Sequence, residues 1–260
     1  MRTYEEYQRI LTLWEQGHTK KGIARITDIP RRTIIDCIQR YENLAGLEAQ
    51  QERASKSTPD LVLTAIKENP TVKQAYAYLL GLYLGDGYIN LQKNGRSYRI
   101  RIALDDRYPG IIDSCTKAIA TILPDNIVGH VQGKGCTYVA CYYKHWPTLF
   151  PQHAHGSRKH QRTIALEEWQ LQIVDAYPLE VFRGLYHSDG SRFSNIVNGK
   201  DYPRYQFSNK SNDIIQLFCY VCTRLGLEWS YRKETHTAAG VFVSRRKDVE
   251  YLDSVIGPKR

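Results

Sequence analysis

Apolar positions along the chain recur first at helical spacing and later in blocks that switch between helix and strand. Tyr7, Ile10, Leu11 and Trp14 fall on one side of a helix that begins near Tyr4 and stops at Gly17. Thr19 is placed to cap a second helix through Ile26, with Ile23, Ala24 and Ile26 as its apolar positions. Thr27-Asp28-Ile29-Pro30 reads as a turn, and a third helix from Arg31 carries Ile34, Ile35, Ile38 and Tyr41. The periodicity then fades. Residues 49–59 are polar and read as an exposed linker, and residues 60–69 fit one short helix before Pro70.

From Lys73 onward the pattern predicts a helix over 74–85, a hairpin of strands 88–91 and 98–104 turning at Asn94-Gly95, and a helix over 111–123. A second hairpin, 126–131 with 137–143, turns around Gly133 and Gly135, and a short helix follows at 146–150. The same order then returns: helix 179–188, strands 193–197 and 204–208, helix 212–225, strands 227–233 and 240–244, helix 248–255. A repeat of this length predicts two similar halves.

The repeat has a sharp centre. Leu79-Leu80-Gly81-Leu82-Tyr83-Leu84-Gly85-Asp86-Gly87 is matched by Phe182-Arg183-Gly184-Leu185-Tyr186-His187-Ser188-Asp189-Gly190, and the two aspartates lie 103 residues apart. Gly81 and Gly85, like Gly184 and Ser188, put small residues four apart on one helical face, which lets two helix backbones approach closely. Asp86 and Asp189 fall at helix C-termini, where the macrodipole disfavours a carboxylate, and a pair of them would also repel. A divalent cation resolves both problems. Gly87 and Gly190 are read as the left-handed residues that end each helix.

Composition narrows the partner. The net charge is +9, which favours a polyanion, nucleic acid first and an anionic membrane surface second. Nineteen tyrosines against six phenylalanines suit a wet, polar interface. No apolar run has the roughly 18–20 residues of a membrane span, and the N-terminus lacks a signal-peptide core, so the expected location is cytoplasmic, at the nucleoid if the source is bacterial. The six cysteines, including Cys219-Tyr-Val-Cys222, read as free thiols, with no second pair to complete a zinc site. His153, His155 and His160 read as a basic, DNA-facing loop rather than a zinc site, since soft partners are absent.

Residues 4–43, three short helices with a tight turn before the last, resemble a helix-turn-helix of the recombinase and sigma-factor type. The resemblance implies that Arg31, Arg32 and Thr33 meet base edges from the start of the recognition helix. Residues 74–260, with two motifs each ending in Asp-Gly and each followed by two hairpins, resemble the single-chain LAGLIDADG (DOD-type) homing endonucleases. The implied fold is α+β, a pseudo-two-fold pair of αββαββα halves with saddle-shaped antiparallel sheets, preceded by a small all-α domain. The implied division is a helix-turn-helix domain over 1–46, a linker over 47–73, and an endonuclease domain over 74–260 with halves of about 74–172 and 173–260.

The resemblance also implies chemistry. Asp86 and Asp189, with the neighbouring Gly85 and Ser188, would hold Mg²⁺, with Mn²⁺ able to substitute, and each aspartate would serve the hydrolysis of one strand of duplex DNA. Asn209 and Asp106 align at one offset with a polar residue close to the metals, and Lys159 and Lys259 with a basic residue near the scissile phosphate. The hairpins would present Arg96, Tyr98, Arg99, Arg101, Arg192, Arg204, Arg232 and Lys233 to the major groove, with Lys200, Tyr202 and Tyr231 beside them. Arg158 and Lys210 join as further DNA contacts. Alternation supports a basic face, because Arg99 and Arg101 flank Ile100. The expected protein is a monomer with internal pseudo-symmetry that binds double-stranded DNA and no membrane. The alternative is a non-cleaving DNA-binding transcriptional regulator on the same scaffold; retention of both aspartates favours the enzyme. Intein splicing is set aside, as Met1 is no splicing nucleophile.

Overall fold

The computed structural model describes residues 4–39, 59–92, 95, 97–153, 158–232 and 239–259. Arg96, Lys233, Asn94, His155, Tyr41 and the segment 40–58 lie outside the described residues. The chain forms two compact units, 1–58 and 59–260.

The smaller unit holds α1 (Tyr4–Glu15), α2 (Lys20–Thr27) and α3 (31–39). Ile10, Ile23, Ile29, Ile34, Cys37 and Ile38 make its core, with Leu11, Leu13, Trp14 and Ala24 packed against them. Thr19 caps α2 by accepting from the Gly22 N–H at 3.1 Å. Asp28, at φ +55°, takes the left-handed conformation that ends α2 and turns the chain, burying Ile29 before α3. Ile26, an expected core position, is instead 46 % exposed.

The larger unit begins with α4 (Pro59–Glu68), whose Val62 and Ile66 join the main core. The Asn69 side chain then caps α5 (Pro70–Asp86), accepting from Thr71 N at 3.0 Å and Val72 N at 3.3 Å, with Pro70 in the first turn. Every residue from Tyr76 to Leu84 is buried, so α5 is covered all round and forms the centre of the unit. Its partner is α9 (Pro178–Asp189). Glycines set their separation. A Cβ on Gly81 would lie 2.6 Å from Val181 O and 2.8 Å from Gly184 Cα, and one on Gly184 would run into the Tyr78 carbonyl.

Each central helix leads into a four-stranded antiparallel sheet. The first sheet has the order β1-β2-β4-β3, from β1 (Gly87–Leu91), β2 (Tyr98–Asp105), β3 (Val128–Gln132) and β4 (Cys136–Tyr143). The second has the order β5-β6-β8-β7, from β5 (Gly190–Val197), β6 (Lys200–Asn209), β7 (Trp229–Arg232) and β8 (Ala239–Val243). Ile100, Ile102, Leu104, Val139 and Cys141 on one sheet, and Tyr205, Phe207, Val241 and Val243 on the other, point into the core. There α6 (Pro109–Ile122) and α10 (Asn212–Arg224) also contribute apolar faces. The short α7 (Trp146–Leu149) and the final α11 (Arg246–Val255) complete the two halves.

Two features depart from the sequence pattern. A helix that periodicity did not announce, α8 (Glu168–Ala176), runs through residue 172, and the Gln170 side chain that accepts from Glu167 N at 3.0 Å helps start it. The β5–β6 hairpin is longer than expected. Asn198 and Gly199, at φ +50° and +74°, make a two-residue turn, so pairing starts at Val197 with Lys200. Among the described residues no helix is long and apolar enough to cross a membrane.

Replacing Gly184 with leucine forces side-chain volume onto the α5 backbone, and the expected cost is at least about 3 kcal/mol in a urea unfolding curve. Gly129, where a Cβ would meet only Ala140 O at 3.9 Å, is the control; Gly129→Ala should change stability by less than about 1 kcal/mol.

Candidate active site at the paired helix ends

The close approach of α5 and α9 continues to their C-termini and brings two carboxylates together. A Cβ on Gly85 would collide with the Ser188 side chain and lie 2.9 Å from Asp189 Oδ2, so the Asp189 carboxylate rests against the end of α5. Ser188 Oγ turns back to donate to Leu185 O at 2.8 Å. Gly87 and Gly190 are not left-handed as expected. They are extended, at φ −86° and −90°, and begin their strands directly. Glycine is required there for space, since a Cβ would meet Tyr83 Cα at 2.5 Å and Tyr186 Cα at 2.7 Å.

Two lysines from distant loops meet the aspartates. Lys159 Nζ donates to the carbonyls of Tyr83 and, at 3.0 Å, Gly85, and lies 4.9 Å from the Tyr83 ring centroid. Lys259 Nζ donates to Ser188 O at 3.2 Å and lies 5.5 Å from the Tyr186 ring centroid. The chain thus makes two clefts. One is lined by Asp189, Gly85, Lys159, Asn209, Arg158 and Lys210, the other by Asp86, Ser188, Lys259, Leu104, Asp105 and Arg107.

The electrostatics follow from burial and like charge. Burial, then the neighbouring Asp189, pushes the Asp86 carboxyl up to about 6, against the pull of both lysines. Burial raises Asp189 too, opposed by a hydrogen bond from Asn209 and by the lysines. Lys159 is driven down to about 8 and Lys259 is lowered, each first by burial, with the two aspartates resisting. His187, hydrogen-bonded through Nδ1 to Tyr78 OH at 2.9 Å, falls to about 3 through burial, Arg183 and Lys259, and so is neutral at ordinary pH. Among the described residues no three of His, Cys, Asp and Glu gather into a metal-holding group. A cation here would rest on two carboxylates and backbone carbonyls, and would fill its shell with water or phosphate oxygen.

Of the expected site residues, Asp86, Asp189, Lys159, Lys259, Gly85, Ser188 and Asn209 come together, with Asn209 Nδ2 donating to Asp189 Oδ2 at 2.8 Å. Asp106 does not join them. Gly87 pairs with Ile102 but Gly190 pairs with Phe207, so the longer second hairpin shifts the register, and the counterpart of Asn209 is Leu104. Asp106 is exposed beyond the strand end and accepts from Gln132 Nε2 and Thr137 Oγ1, both at 2.7 Å. Asp105, which no sequence signal marked, faces Lys259 instead; the Arg107 guanidinium holds its carboxyl down at about 2. Tyr83 and Tyr186, which share the 103-residue offset, each set a ring beside the lysine of one cleft.

The basic face is smaller than expected. Arg99, Arg101, Arg204 and Arg232 share the outward side of their sheets, each beside an aromatic ring: Tyr142, Tyr138, Phe193 and Phe242, at 5.8, 4.1, 5.9 and 5.7 Å from the ring centroids. Tyr98 has the parity of Ile100, so it packs inward against the core and His153. Arg192, across from buried Tyr205, is on the helix side, where Asp253 takes it in a two-pronged pair at 2.6 and 2.7 Å. In the smaller unit Arg31 and Arg32 are exposed and Thr33 is half-buried.

No family model and no curated protein matches the sequence. Solved structures do match. The crystal structure of I-DmoI in complex with DNA and Mn is 16 % identical, with a TM-score of 0.51 over 73 % of this chain and 99 % of its own. A structure of mesophilic variants from the homing endonuclease I-DmoI gives the same identity and TM-score over 71 % and 90 %. The LAGLIDADG meganuclease I-AabMI bound to uncleaved DNA is 15 % identical, with a TM-score of 0.45 over 69 % and 82 %. At 16 % identity the likeness to I-DmoI is one of fold.

The Asp86 carboxyl is raised from 3.8 to about 6 in the fold, so its contribution to stability is complete below about pH 4 and is lost as pH rises through 6. Removing the charge with Asp86→Asn should leave stability near pH 3.5 close to that of the wild type. At pH 7.5 it should make the variant more stable by about 1–3 kcal/mol, read from thermal unfolding across that range.

Proposed function

We propose that this protein is a site-specific double-stranded DNA endonuclease, homing-endonuclease-like, that hydrolyses phosphodiester bonds at its paired aspartates. The observation that carries this reading is the pair of half-buried carboxylates forced together at abutting helix ends, each cleft with its own lysine. Such a pair is costly without a cationic partner. The fold is shared with a homing endonuclease solved in complex with DNA and Mn, which supports the same chemistry here.

Asp86 and Asp189 carry the hard oxygens that would hold Mg²⁺ or Mn²⁺, and the carbonyls of Gly85 and Ser188, which Lys159 and Lys259 engage here, would join them where the lysines give way. When bound, the cation supplies Lewis-acid polarisation and a more acidic water. Lys159 and Lys259 bring positive charge to each cleft, where it counters charge building on a phosphate in the transition state. Asn209 fixes the Asp189 carboxylate. Arg99, Arg101, Arg204 and Arg232, already placed beside aromatic rings, present guanidinium groups for phosphates and base edges. The 1–58 unit adds a helix-turn-helix, with Arg31, Arg32 and Thr33 opening the recognition helix. The working unit is a monomer with internal pseudo-symmetry that acts inside the cell.

Selection of cleaved sites from a random duplex library with Mg²⁺ should return one extended sequence. Asp86→Asn and Asp189→Asn should each abolish double-strand cleavage and keep binding. A wild type that binds one site and never cuts with Mg²⁺ or Mn²⁺ would give the function to the regulator reading. Arg31→Ala with Arg32→Ala should weaken binding and reduce the slope of log affinity against log salt by about 2, measured by fluorescence anisotropy.

A further inference from the structure

The second sheet carries apolar side chains on its outward side, where a face that meets only phosphates has no use for them. Pairing fixes which residues share that side. Arg204 stands opposite Phe193, Tyr202 opposite Asn195 and Lys200 opposite Val197, and opposed residues of an antiparallel pair lie on one face. Phe193 is 36 % exposed, Val197 46 % and Tyr202 47 %, and Asn195 is half-buried among them. Ile196, the most exposed apolar residue of the strand at 71 %, lies on the reverse side with Arg192. Across the β1–β2 pairing the outward residues are Tyr88, Asn90, Arg99 and Arg101, none of them aliphatic. The β5–β6 ribbon alone thus combines apolar groups and a carboxamide with flanking cations.

We infer that this ribbon reads A·T base pairs at three alternate positions of its target, with Phe193 and Val197 on thymine methyls and Asn195 on an adenine between them. This rests on the double-stranded DNA part of the proposed function and needs no cleavage. A two-stranded antiparallel ribbon fits the major groove. A strand advances about 6.8 Å for every two residues and stacked base pairs about 3.4 Å each, so Phe193, Asn195 and Val197 fall about two base pairs apart. Each side chain selects by chemistry. The thymine 5-methyl is the apolar group on the groove floor, so an aromatic ring or a branched aliphatic gains most there. A carboxamide donates to adenine N7 while accepting from N6, a pairing that guanine and cytosine do not offer. Arg204 and Lys200 on the adjoining strand supply charge that seats the ribbon against phosphates.

The test selects duplexes from a random library by binding to the whole protein without added metal, then repeats the selection with single variants. The wild-type profile should hold a stretch of about five base pairs with A·T at the first, third and fifth. Asn195→Ala should flatten the preference at the middle pair and weaken binding of the selected duplex about tenfold in fluorescence anisotropy. Phe193→Ala and Val197→Ala should each flatten one flanking pair. Ile196→Ala, on the reverse side, should leave the profile as it is. Uracil in place of thymine at the pair that Val197→Ala flattens removes the methyl alone. It should weaken the wild type about fourfold and leave Val197→Ala unaffected. G·C pairs at these positions, a profile unmoved by Asn195→Ala, equal binding of the thymine and uracil duplexes, or an Ile196→Ala effect as large as that of Val197→Ala overturns the inference and leaves the endonuclease reading standing. A protein that selects the A·T stretch through these residues and never cuts it with Mg²⁺ or Mn²⁺ upholds the inference while the endonuclease reading falls. Selection of no duplex overturns both.

Discussion

The structure depends on a backbone contact between two helices. Gly81 and Gly184 leave no room for a side chain, so α5 and α9 meet at van der Waals distance along their length and end side by side. Both halves are organised about this contact, and α5 is buried on every side from Tyr76 to Leu84. The same closeness creates the electrostatic problem at the ends. Two aspartates at negative helix termini, drawn out of water, are a poor way to stabilise a fold. The two lysines offset part of that cost, each at the expense of its own proton affinity.

The lysines also link fold to site over long stretches of chain. Lys159 stands in the segment after α7, held by buried Gln152 on one side and by Ile164 on the other. Gln152 bonds Gln170 and the Ala165 carbonyl, and Ile164 N donates to Asp213 Oδ2 at 2.7 Å. Lys259 follows α11. The sheets make a parallel use of aromatic side chains. Four outward arginines lie beside rings, which limits their rotamers before any partner arrives.

Departures from symmetry arise from one small difference in length. The Asn198-Gly199 turn joins β5 to β6 with two residues, while six separate Leu91 from Tyr98. The strands of the second hairpin are longer, and the register at their far ends shifts by two residues relative to the first. A uniform offset along the sequence placed Asp106 opposite Asn209, but pairing from the helix ends places Leu104 there. The same counting sends Arg192 to the helix side of its sheet, where Asp253 engages it, although a basic residue in a strand near the site looked like a DNA contact.

The sequence alone determined what is local. Periodicity gave the helices and strands apart from α8, small residues four apart gave the face on which two helices could meet, and the repeated Asp-Gly put a carboxylate at each helix end. Tertiary structure decided what depends on pairing between distant residues. Strand register chose Leu104 over Asp106, and parity turned Tyr98 and Arg192 inward. Loop closure brought Lys159 and Lys259 onto backbone carbonyls near the aspartates, and space, not a left-handed turn, called for Gly87 and Gly190. None of these has a short-range signature, because each is fixed by which backbone atoms meet after the chain has closed on itself.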